Sequence, residues 1–210
     1  MTAIKYPRTY HLPSSAGATS DDKVLNTIDH FIGKQVVITE KMDGENTTLY
    51  SDKYHARSID SRYHTSRSWV AQFHSSIAHN IPTNWRVCGE NVYAKHSLLY
   101  TNLPSYFLGF SIWDENNVCL DWNSTLEYFT MLGITPVNTL YAGVFDNSVV
   151  DTLVSTIDTS ITEGFVVRLA ESFAYDDFKM SVGKWVRANH VQTDKHWRTS
   201  KIIENQLNVI

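Results

Sequence analysis

The sequence predicts an α+β fold dominated by antiparallel strands, with helices at the periphery. Short segments rich in β-branched and aromatic residues recur between turn residues, which is the usual pattern of strands. Other segments carry apolar residues at helical spacing. Hydrophobic residues make up 42% of the 210 residues, so the chain can bury a substantial core as one large domain or one domain with a small appendage.

Eight segments are predicted to be strands. The first two, 34–41 and 46–52, flank an Asp-Gly dipeptide that by itself predicts a charged hairpin turn. The segment 116–120 is expected to pair with the strand before it after a short turn. The other five are 54–59, 85–93, 106–115, 163–169 and 182–187.

Helices are predicted where apolar residues recur every three or four positions. Trp69, Phe73 and Ile77 indicate an amphipathic helix that ends before Pro82, and we expect these three side chains in the core. Further helices are predicted at 122–133 with Gly133 as the C-terminal cap, at 147–157, and from Thr193 onwards.

The charges are unevenly distributed along the chain. The net charge of −4 argues weakly against a nucleic-acid-binding protein. However, the stretch 96–167 carries eight acidic residues and no lysine or arginine, while basic residues concentrate in 53–67 and 179–201. If the fold brings the basic segments together, they form a surface that attracts phosphate; if they lie on unrelated faces, they have no such role.

Cysteine usage and hydropathy favour a cytoplasmic protein. They are also compatible with a protein that is encoded by a phage. Cys88 and Cys119 form no CxxC pair and are expected to be buried thiols in a reducing compartment. The sequence has no apolar run near the ~20 residues of a membrane span and no signal-peptide core at its start, so we expect no membrane partner.

The segment KMDGEN, residues 41–46, places a lysine, two acids, a glycine and an asparagine in one short loop. A lysine is a nucleophile only when it is neutral, and burial or a cationic neighbourhood lowers its pKa toward that state. A phosphate under attack needs cations around its oxygens, and a metal cation needs carboxylates. The loop and the later basic segments are therefore compatible with phosphoryl-transfer chemistry.

These residues resemble the nucleotidyl-transfer motif KxDGxN of ATP-dependent RNA ligases. The family's later motifs follow in the same order: ARS at 56–58, GEN at 89–91, an aromatic strand at 106–113, EGFVVR at 163–168 and VGKWVR at 182–187. The resemblance implies an antiparallel-sheet nucleotidyltransferase domain of the ATP-grasp-like adenylation type, in a superfamily with DNA ligases and mRNA capping enzymes.

The resemblance implies that Lys41 attacks the α-phosphate of ATP and holds AMP through a phosphoramide bond. Asp43 and Gly44 would shape the turn, with glycine permitting its backbone geometry. Lys184 would touch the α-phosphate and help keep Lys41 neutral by cation repulsion. The other implied nucleotide-binding residues are Glu40 at the adenine, Asn46 for later steps, Arg57 at a phosphate, Glu90 at the ribose hydroxyls and Phe110 on the adenine ring.

Glu163 would bind the divalent metal, Mg²⁺ or Mn²⁺. The implied RNA-binding residues are Arg62, Arg187, Lys195 and Arg198. Two departures from the family pattern leave alternatives open. Ser111 stands where the family often has aspartate, so Trp113 competes with Phe110 as the stacking ring. The last motif reads KWVR instead of lysine, one residue, lysine, so Lys184 and Arg187 would face opposite sides of a strand, and Lys179 is a rival to Lys184.

The chain is therefore interpreted as a nucleotidyltransferase domain, 1–190, and a short basic helical tail, 191–210, with no separate C-terminal domain. The expected function is ATP-dependent joining of RNA 5′-phosphate and 3′-OH ends through lysyl-AMP and an adenylylated 5′ end. A DNA ligase, a capping-type guanylyltransferase and a catalytically silent nucleotide- or RNA-binding module remain alternatives. An accessory protein that holds the RNA is an equal alternative to the chain's own basic segments.

Overall fold

The computed structural model describes residues 2–60, 64–188 and 202–208. Within these residues the chain forms twelve strands and four α-helices. The strands are β1 (Tyr10–His11), β2 (Gln35–Lys41), β3 (Glu45–Leu49), β4 (Tyr54–Ala56), β5 (Arg86–Asn91), β6 (Phe107–Trp113), β7 (Val118–Cys119), β8 (Thr135–Pro136), β9 (Thr139–Val144), β10 (Gly164–Leu169), β11 (Phe173–Ala174) and β12 (Val182–Val186). The helices are α1 (Ser68–Ile77), α2 (Trp122–Leu132), α3 (Asn147–Thr156) and α4 (Phe178–Ser181).

The strands form two sheets. The first sheet has the order β1-β12-β10-β2-β9, and the second has the order β11-β7-β6-β5-β3-β4, with β8 paired to β6. Every pairing is antiparallel except β1 with β12 and β6 with β8. The predicted α+β class with antiparallel strands is confirmed.

All eight predicted strands are present, and four further strands were not predicted. Three of the four, β1, β8 and β11, have only two residues each. The fourth, β9, lies at the edge of the first sheet and has no buried residue, so its sequence lacks the apolar alternation that marks a strand. Its pairing with β2 alone makes it a strand.

The expectation of a hairpin at Asp43-Gly44 is wrong. The strands on either side belong to different sheets, because β2 pairs with β10 and β9 whereas β3 pairs with β5 and β4. Residues 42–44 therefore form the crossing between the two sheets. Gly44 is required there by a close approach and not by a positive φ, since an added Cβ would lie 2.6 Å from the Asn91 carbonyl oxygen of β5.

The predicted helices 122–133 and 147–157 are present as α2 and α3, and Gly133 adopts the left-handed φ of 67° that a helix cap requires. In α1, Ile77 is buried, while Trp69 and Phe73 are half-buried against the core. The helix predicted from Thr193 falls largely outside the described residues. Its described part, 202–208, is extended, because it pairs with residues 93–103 of the body instead of closing helical turns.

The core has parts on both sheets and between them. Phe31, Ile38 and Phe165 are fully buried on the first sheet, against which α3 packs. Helices α1 and α2 cover the second sheet through residues such as Val70 and Phe129. Cys88 and Cys119 are buried free thiols, as expected. Among the described helices, none has the length and apolar character needed to cross a membrane.

A buried ion pair fixes the start of β3 immediately after the crossing. Arg67, at the N-terminus of α1, places Nε and Nη2 each 2.5 Å from the carboxylate oxygens of Glu45. The two residues are 4% and 8% exposed. A two-pronged arginine–carboxylate contact of this kind orients both partners as well as attracting them. The pair therefore ties the crossing segment to the helix that covers the second sheet.

Replacing Arg67 with alanine is expected to destabilise the fold by about 3–5 kcal/mol, because the Glu45 carboxylate would remain buried without its cation. The measurement is the free energy of unfolding from a denaturant titration. Lys53→Ala is the matched control, since it removes the cation of the exposed pair with Asp52 and should change stability little. Equal effects of the two substitutions would contradict the structural role of the buried pair.

Candidate active site

A cavity of about 740 Å³ lies between the two sheets. Strands from both sheets and the N-terminal segment contribute to its walls. Seven of the residues selected from the sequence line it: Glu40, Lys41, Asn46, Arg57, Glu90, Phe110 and Lys184. The fold therefore brings together residues that are separated by up to 144 positions along the chain.

Lys41 is the last residue of β2 and faces Glu163 across the sheet. Strand β10 pairs Gly164 with Lys41, so the residue before Gly164 lies beside the lysine side chain. Lys41 Nζ is 2.5 Å from Glu163 Oε2. The side chains are 24% and 7% exposed, so this ion pair is largely sheltered from water. The register of β2 and β10 thus positions the predicted nucleophile next to the predicted metal ligand.

The electrostatics around Lys41 differ from the expectation that Lys184 helps to keep it neutral. Burial lowers the pKa of Lys41, but the carboxylates of Glu163, Glu90 and Asp43 outweigh burial and raise it above its ordinary value. Carboxylates, and not cations, dominate the immediate surroundings. In this state of the protein, Lys41 carries a proton and is held by its acidic neighbours.

Glu90 is held in an unfavourable environment for a charge. Burial raises its pKa to about 8, and Glu163 and Asp43 add to that rise against the opposing effect of Lys41. Its cross-strand partner is Asn46 of β3, so both side chains lie on the same face of the second sheet. Asn46 Oδ1 is buried and has no hydrogen-bond partner among the described residues. Asn46 and Glu90 both line the cavity.

Lys184, and not Lys179, belongs to the cavity. Lys184 lies in β12, opposite Val166 of β10, and lines the cavity. Burial, followed by the charge of Lys41, lowers the pKa of Lys184 to about 8. Lys179 lies on the short helix α4, where its ammonium group is 5.2 Å from the ring centre of Tyr10.

Arg187 lies just beyond the end of β12, outside the cavity lining. Its side chain is 8% exposed and donates to Ser97 Oγ at 3.4 Å. Its backbone N–H donates to the carbonyl of Glu163 at 3.0 Å. Among the predicted RNA-binding residues, Arg187 is the one that the structure describes; Arg62, Lys195 and Arg198 lie outside the described residues.

Phe110 and Trp113 occupy different environments. Phe110 is half-buried and lines the cavity. Trp113 has no exposed surface and packs in the core with Phe173 and Phe178. Its ring also lies 4.7 Å from the guanidinium carbon of Arg86. The geometry places Phe110 where a planar ligand in the cavity would meet it, and it assigns Trp113 to the core.

The side chain and the backbone N–H of Asp43, in the crossing between the two sheets, are both held by a loop of the second sheet. Its Oδ2 accepts hydrogen bonds from the Ser97 N–H, the Ser97 hydroxyl and the Leu98 N–H, each at 2.7 Å. Its backbone N–H donates to Tyr100 Oη at 2.9 Å. With four bonds to one short loop, Asp43 anchors the residues that follow Lys41.

The N-terminal segment contributes residues that the sequence patterns did not single out. Lys5, Tyr6 and Arg8 line the cavity. The Tyr6 ring meets Phe110 edge to face with 5.3 Å between ring centres. The only signal in the sequence is the interleaving of basic and aromatic residues in KYPRTY, 5–10, which is a pattern of phosphate-binding surfaces.

The described residues contain no group of three or more His, Cys, Asp or Glu side chains placed to hold a metal ion. Mg²⁺ is commonly held by only one or two carboxylates together with waters and substrate phosphates. Glu163 and Glu90 are carboxylates of the required type, and the pKa of Glu90 is raised to about 8 mainly by burial. The donor set therefore fits a divalent cation that is shared with a phosphate ligand.

A family model described as RNA ligase matches residues 34–186. The chain belongs to the RNA ligase family. No curated protein sequence matches the chain.

Several solved structures share the fold. An archaeal ATP-dependent RNA ligase in its form 2 is 15% identical, with a TM-score of 0.60 over 89% of this chain and 49% of that protein. A Naegleria gruberi RNA ligase with pyrophosphate is 16% identical, with a TM-score of 0.58 over 90% and 62%. A putative ATP-dependent DNA ligase from Aquifex aeolicus is 14% identical, with a TM-score of 0.56 over 94% and 57%. At these identities the likeness is one of fold, and the chain spans about half the length of the first of these ligases.

Trp113 and Phe110 are expected to respond differently to replacement by alanine, because Trp113 fills the core and Phe110 lines the cavity. Trp113→Ala should lower the free energy of unfolding by about 3–5 kcal/mol, because it leaves a large cavity in the core. Phe110→Ala should destabilise the fold less and weaken binding of an adenine nucleotide. Denaturant titration and fluorescence titration with ATP measure the two effects. A folded Trp113→Ala protein that loses nucleotide binding, beside an unaffected Phe110→Ala protein, would reverse the assignment.

Proposed function

We propose that this protein is an ATP-dependent RNA ligase that forms a covalent AMP adduct on Lys41. The observation that carries the proposal is the position of Lys41 at the edge of the cavity, paired with Glu163 and surrounded by Glu90 and Lys184. Membership of the RNA ligase family supports the reaction class.

In the first step, Lys41 Nζ attacks the α-phosphorus of ATP. A nitrogen–phosphorus bond forms, the bond from the α-phosphorus to the bridging oxygen breaks, and pyrophosphate leaves. Nζ must give up its proton, so the carboxylates that raise its pKa have to be neutralised when the nucleotide is bound. Lys184 and Arg57 line the cavity and would face the phosphates. Phe110 would contact the adenine, and Glu90 would accept hydrogen bonds from the ribose hydroxyls.

In the second step, an oxygen of an RNA 5′-phosphate attacks the phosphorus of lysyl-AMP, and Nζ leaves and regains its proton. In the third step, the RNA 3′-hydroxyl attacks the adenylylated 5′-phosphate and releases AMP. Asn46, which lines the cavity, would act in these later steps.

A divalent cation would neutralise phosphate charge and offset the carboxylates around Lys41. Glu163 is the residue that would hold it. The Naegleria gruberi ligase has been solved with pyrophosphate, and a variant of it with AMP and Mn, which supports this cofactor class for the present chain. Mg²⁺ and Mn²⁺ take the same oxygen ligands.

The competing functions differ in their products. A DNA ligase would join nicked DNA in preference to RNA, a capping-type enzyme would take GTP, and a silent module would bind nucleotide without forming a covalent bond. Because the chain shares its fold with a putative DNA ligase, the experiment has to distinguish DNA joining from RNA joining.

Incubation with α-labelled ATP and a divalent metal, followed by denaturing electrophoresis, tests the first step. We expect an acid-labile label on the wild-type protein and none with GTP. Lys41→Arg is the informative variant, because a guanidinium can keep the ion pair with Glu163 but does not deprotonate, so it cannot form the bond. It should lose the label. Lys34→Met, which removes an exposed lysine next to β2, should keep it.

Label on Lys41→Arg, or no label on intact wild-type protein across metals, would contradict the proposed mechanism. Nicked RNA, nicked DNA and single strands offered to the labelled protein then separate the ligase classes. Transfer of the label to DNA alone would replace RNA ligase with DNA ligase.

The pKa of Lys184 predicts a pH dependence of nucleotide binding. Lys184 loses its charge as the pH rises through about 8, so an ATP analogue with an α,β-methylene bridge should bind up to about tenfold more weakly at pH 9 than at pH 7. Glu90 loses a proton over the same interval, which acts in the same direction. Lys184→Arg stays charged and should reduce the loss; Glu90→Gln isolates the other contribution. The affinities are measured by calorimetry. An equal loss of affinity between pH 7 and pH 9 in wild type and Lys184→Arg would assign the pH dependence to Glu90 alone.

A further inference from the structure

Residues 202–208 lie outside the segment that the RNA ligase family model matches, and they are seated on the body of the domain. Five backbone hydrogen bonds join them to residues 93–103, with Lys95, Tyr93, Tyr100 and Leu103 as partners. Such pairing fixes the position of residues 93–103 as an added strand would. We refer to residues 202–208 as the C-terminal clamp.

Asn205 is the centre of the clamp. It is 1% exposed, and all of its polar groups are paired. Its Oδ1 accepts from the Tyr100 N–H at 2.9 Å, and its Nδ2 donates to the Val92 carbonyl at 2.8 Å. Its backbone N–H donates to Tyr93, and its carbonyl accepts from the Tyr106 hydroxyl at 2.8 Å. A buried polar residue with every group satisfied specifies one arrangement of its partners.

The loop that the clamp holds is the loop that holds Asp43. Tyr100 connects the two, because its backbone bonds Asn205 and Gln206 while its hydroxyl accepts the Asp43 N–H. Ser97 and Leu98 of the same loop bind the Asp43 carboxylate. Asp43 is two residues from Lys41, and the next residue, Gly44, lies so close to β5 that an added Cβ would be 2.6 Å from the Asn91 carbonyl oxygen.

We propose that the C-terminal clamp positions Lys41 for reaction, with Asn205 and Tyr100 as positioning residues that act through Asp43. Neither residue lines the cavity. A displacement of about 1 Å at a reacting group can lower a rate by about 100-fold, so a loop this close to the nucleophile is a sensitive point of control. The inference rests on the proposed function, in which Lys41 is the nucleophile.

The first test does not depend on catalysis. Hydrogen exchange of the Asp43 amide, followed by NMR, should be slow in the wild type because this amide donates to Tyr100 Oη. Tyr100→Phe and Asn205→Ala should each make it faster. Tyr128→Phe is the matched control, because Tyr128 lies on α2, where it packs against Trp85. Unchanged exchange in both clamp variants would overturn the proposal.

The second test separates positioning from stability. At saturating ATP, the single-turnover rate of Lys41 adenylylation should fall about tenfold or more in Tyr100→Phe and Asn205→Ala, with the half-saturating ATP concentration changed by less than about twofold. Joining of RNA ends that are already adenylylated does not use Lys41 as a nucleophile and should be nearly unchanged. Tyr128→Phe should match the wild type in both assays.

Because both positioning residues act through one contact, the double variant should lose little more rate than Asn205→Ala alone. Rates of adenylylation and joining that fall together would mean a general loss of structure and would overturn the proposal. If Asn205→Ala does not fold, Tyr100→Phe, which removes one oxygen atom, decides the outcome by itself. A wild-type protein that is never adenylylated would overturn the proposed function, while the exchange of the Asp43 amide would still decide whether the clamp holds the crossing.

Discussion

The ion pair between Lys41 and Glu163 is the interaction on which the arrangement of the cavity depends. It joins the end of β2 to the start of β10, and it forms because the register of those strands places Gly164 opposite Lys41. One residue later the chain leaves the first sheet and crosses to the second. The lysine is therefore fixed on one side by a carboxylate of its own sheet and on the other by a crossing that the second sheet holds.

Three carboxylates, one buried and two half-buried, lie around Lys41 in the same arrangement. Glu163, Glu90 and Asp43 all raise the pKa of Lys41, and Glu90 itself is raised to about 8. Like charges brought together at low exposure are costly unless cations join them. Lys184 and Arg57 line the same cavity, and a divalent cation would add positive charge next to the carboxylates. This arrangement supports the proposal that the nucleotide binds together with a divalent cation.

Part of the site could be predicted from the sequence because its motifs are short and local and resemble those of RNA ligases. KMDGEN, GEN and EGFVVR each place a charged residue at the end of a strand, and strand ends can be located from β-branched runs and turn residues. Other assignments needed the fold. Phe110 and Trp113 differ by three positions in one strand, and only packing shows that Phe110 lines the cavity while Trp113 fills the core. The hairpin at Asp43-Gly44 was wrong for a related reason, since the turn dipeptide does not record which strands are neighbours.

The sequence by itself determined the α+β class and the order of the motifs, because these depend on local composition and spacing, and the resemblance of those motifs to RNA ligases singled out Lys41. The tertiary structure decided which sheet each strand joins, the sign of the pKa change of Lys41 and the contact of residues 202–208 with the loop around Asp43. Each of these depends on groups that are far apart in the chain. Electrostatic and hydrogen-bond energies act over a few ångströms of space, and distance along the chain does not reveal which groups come that close.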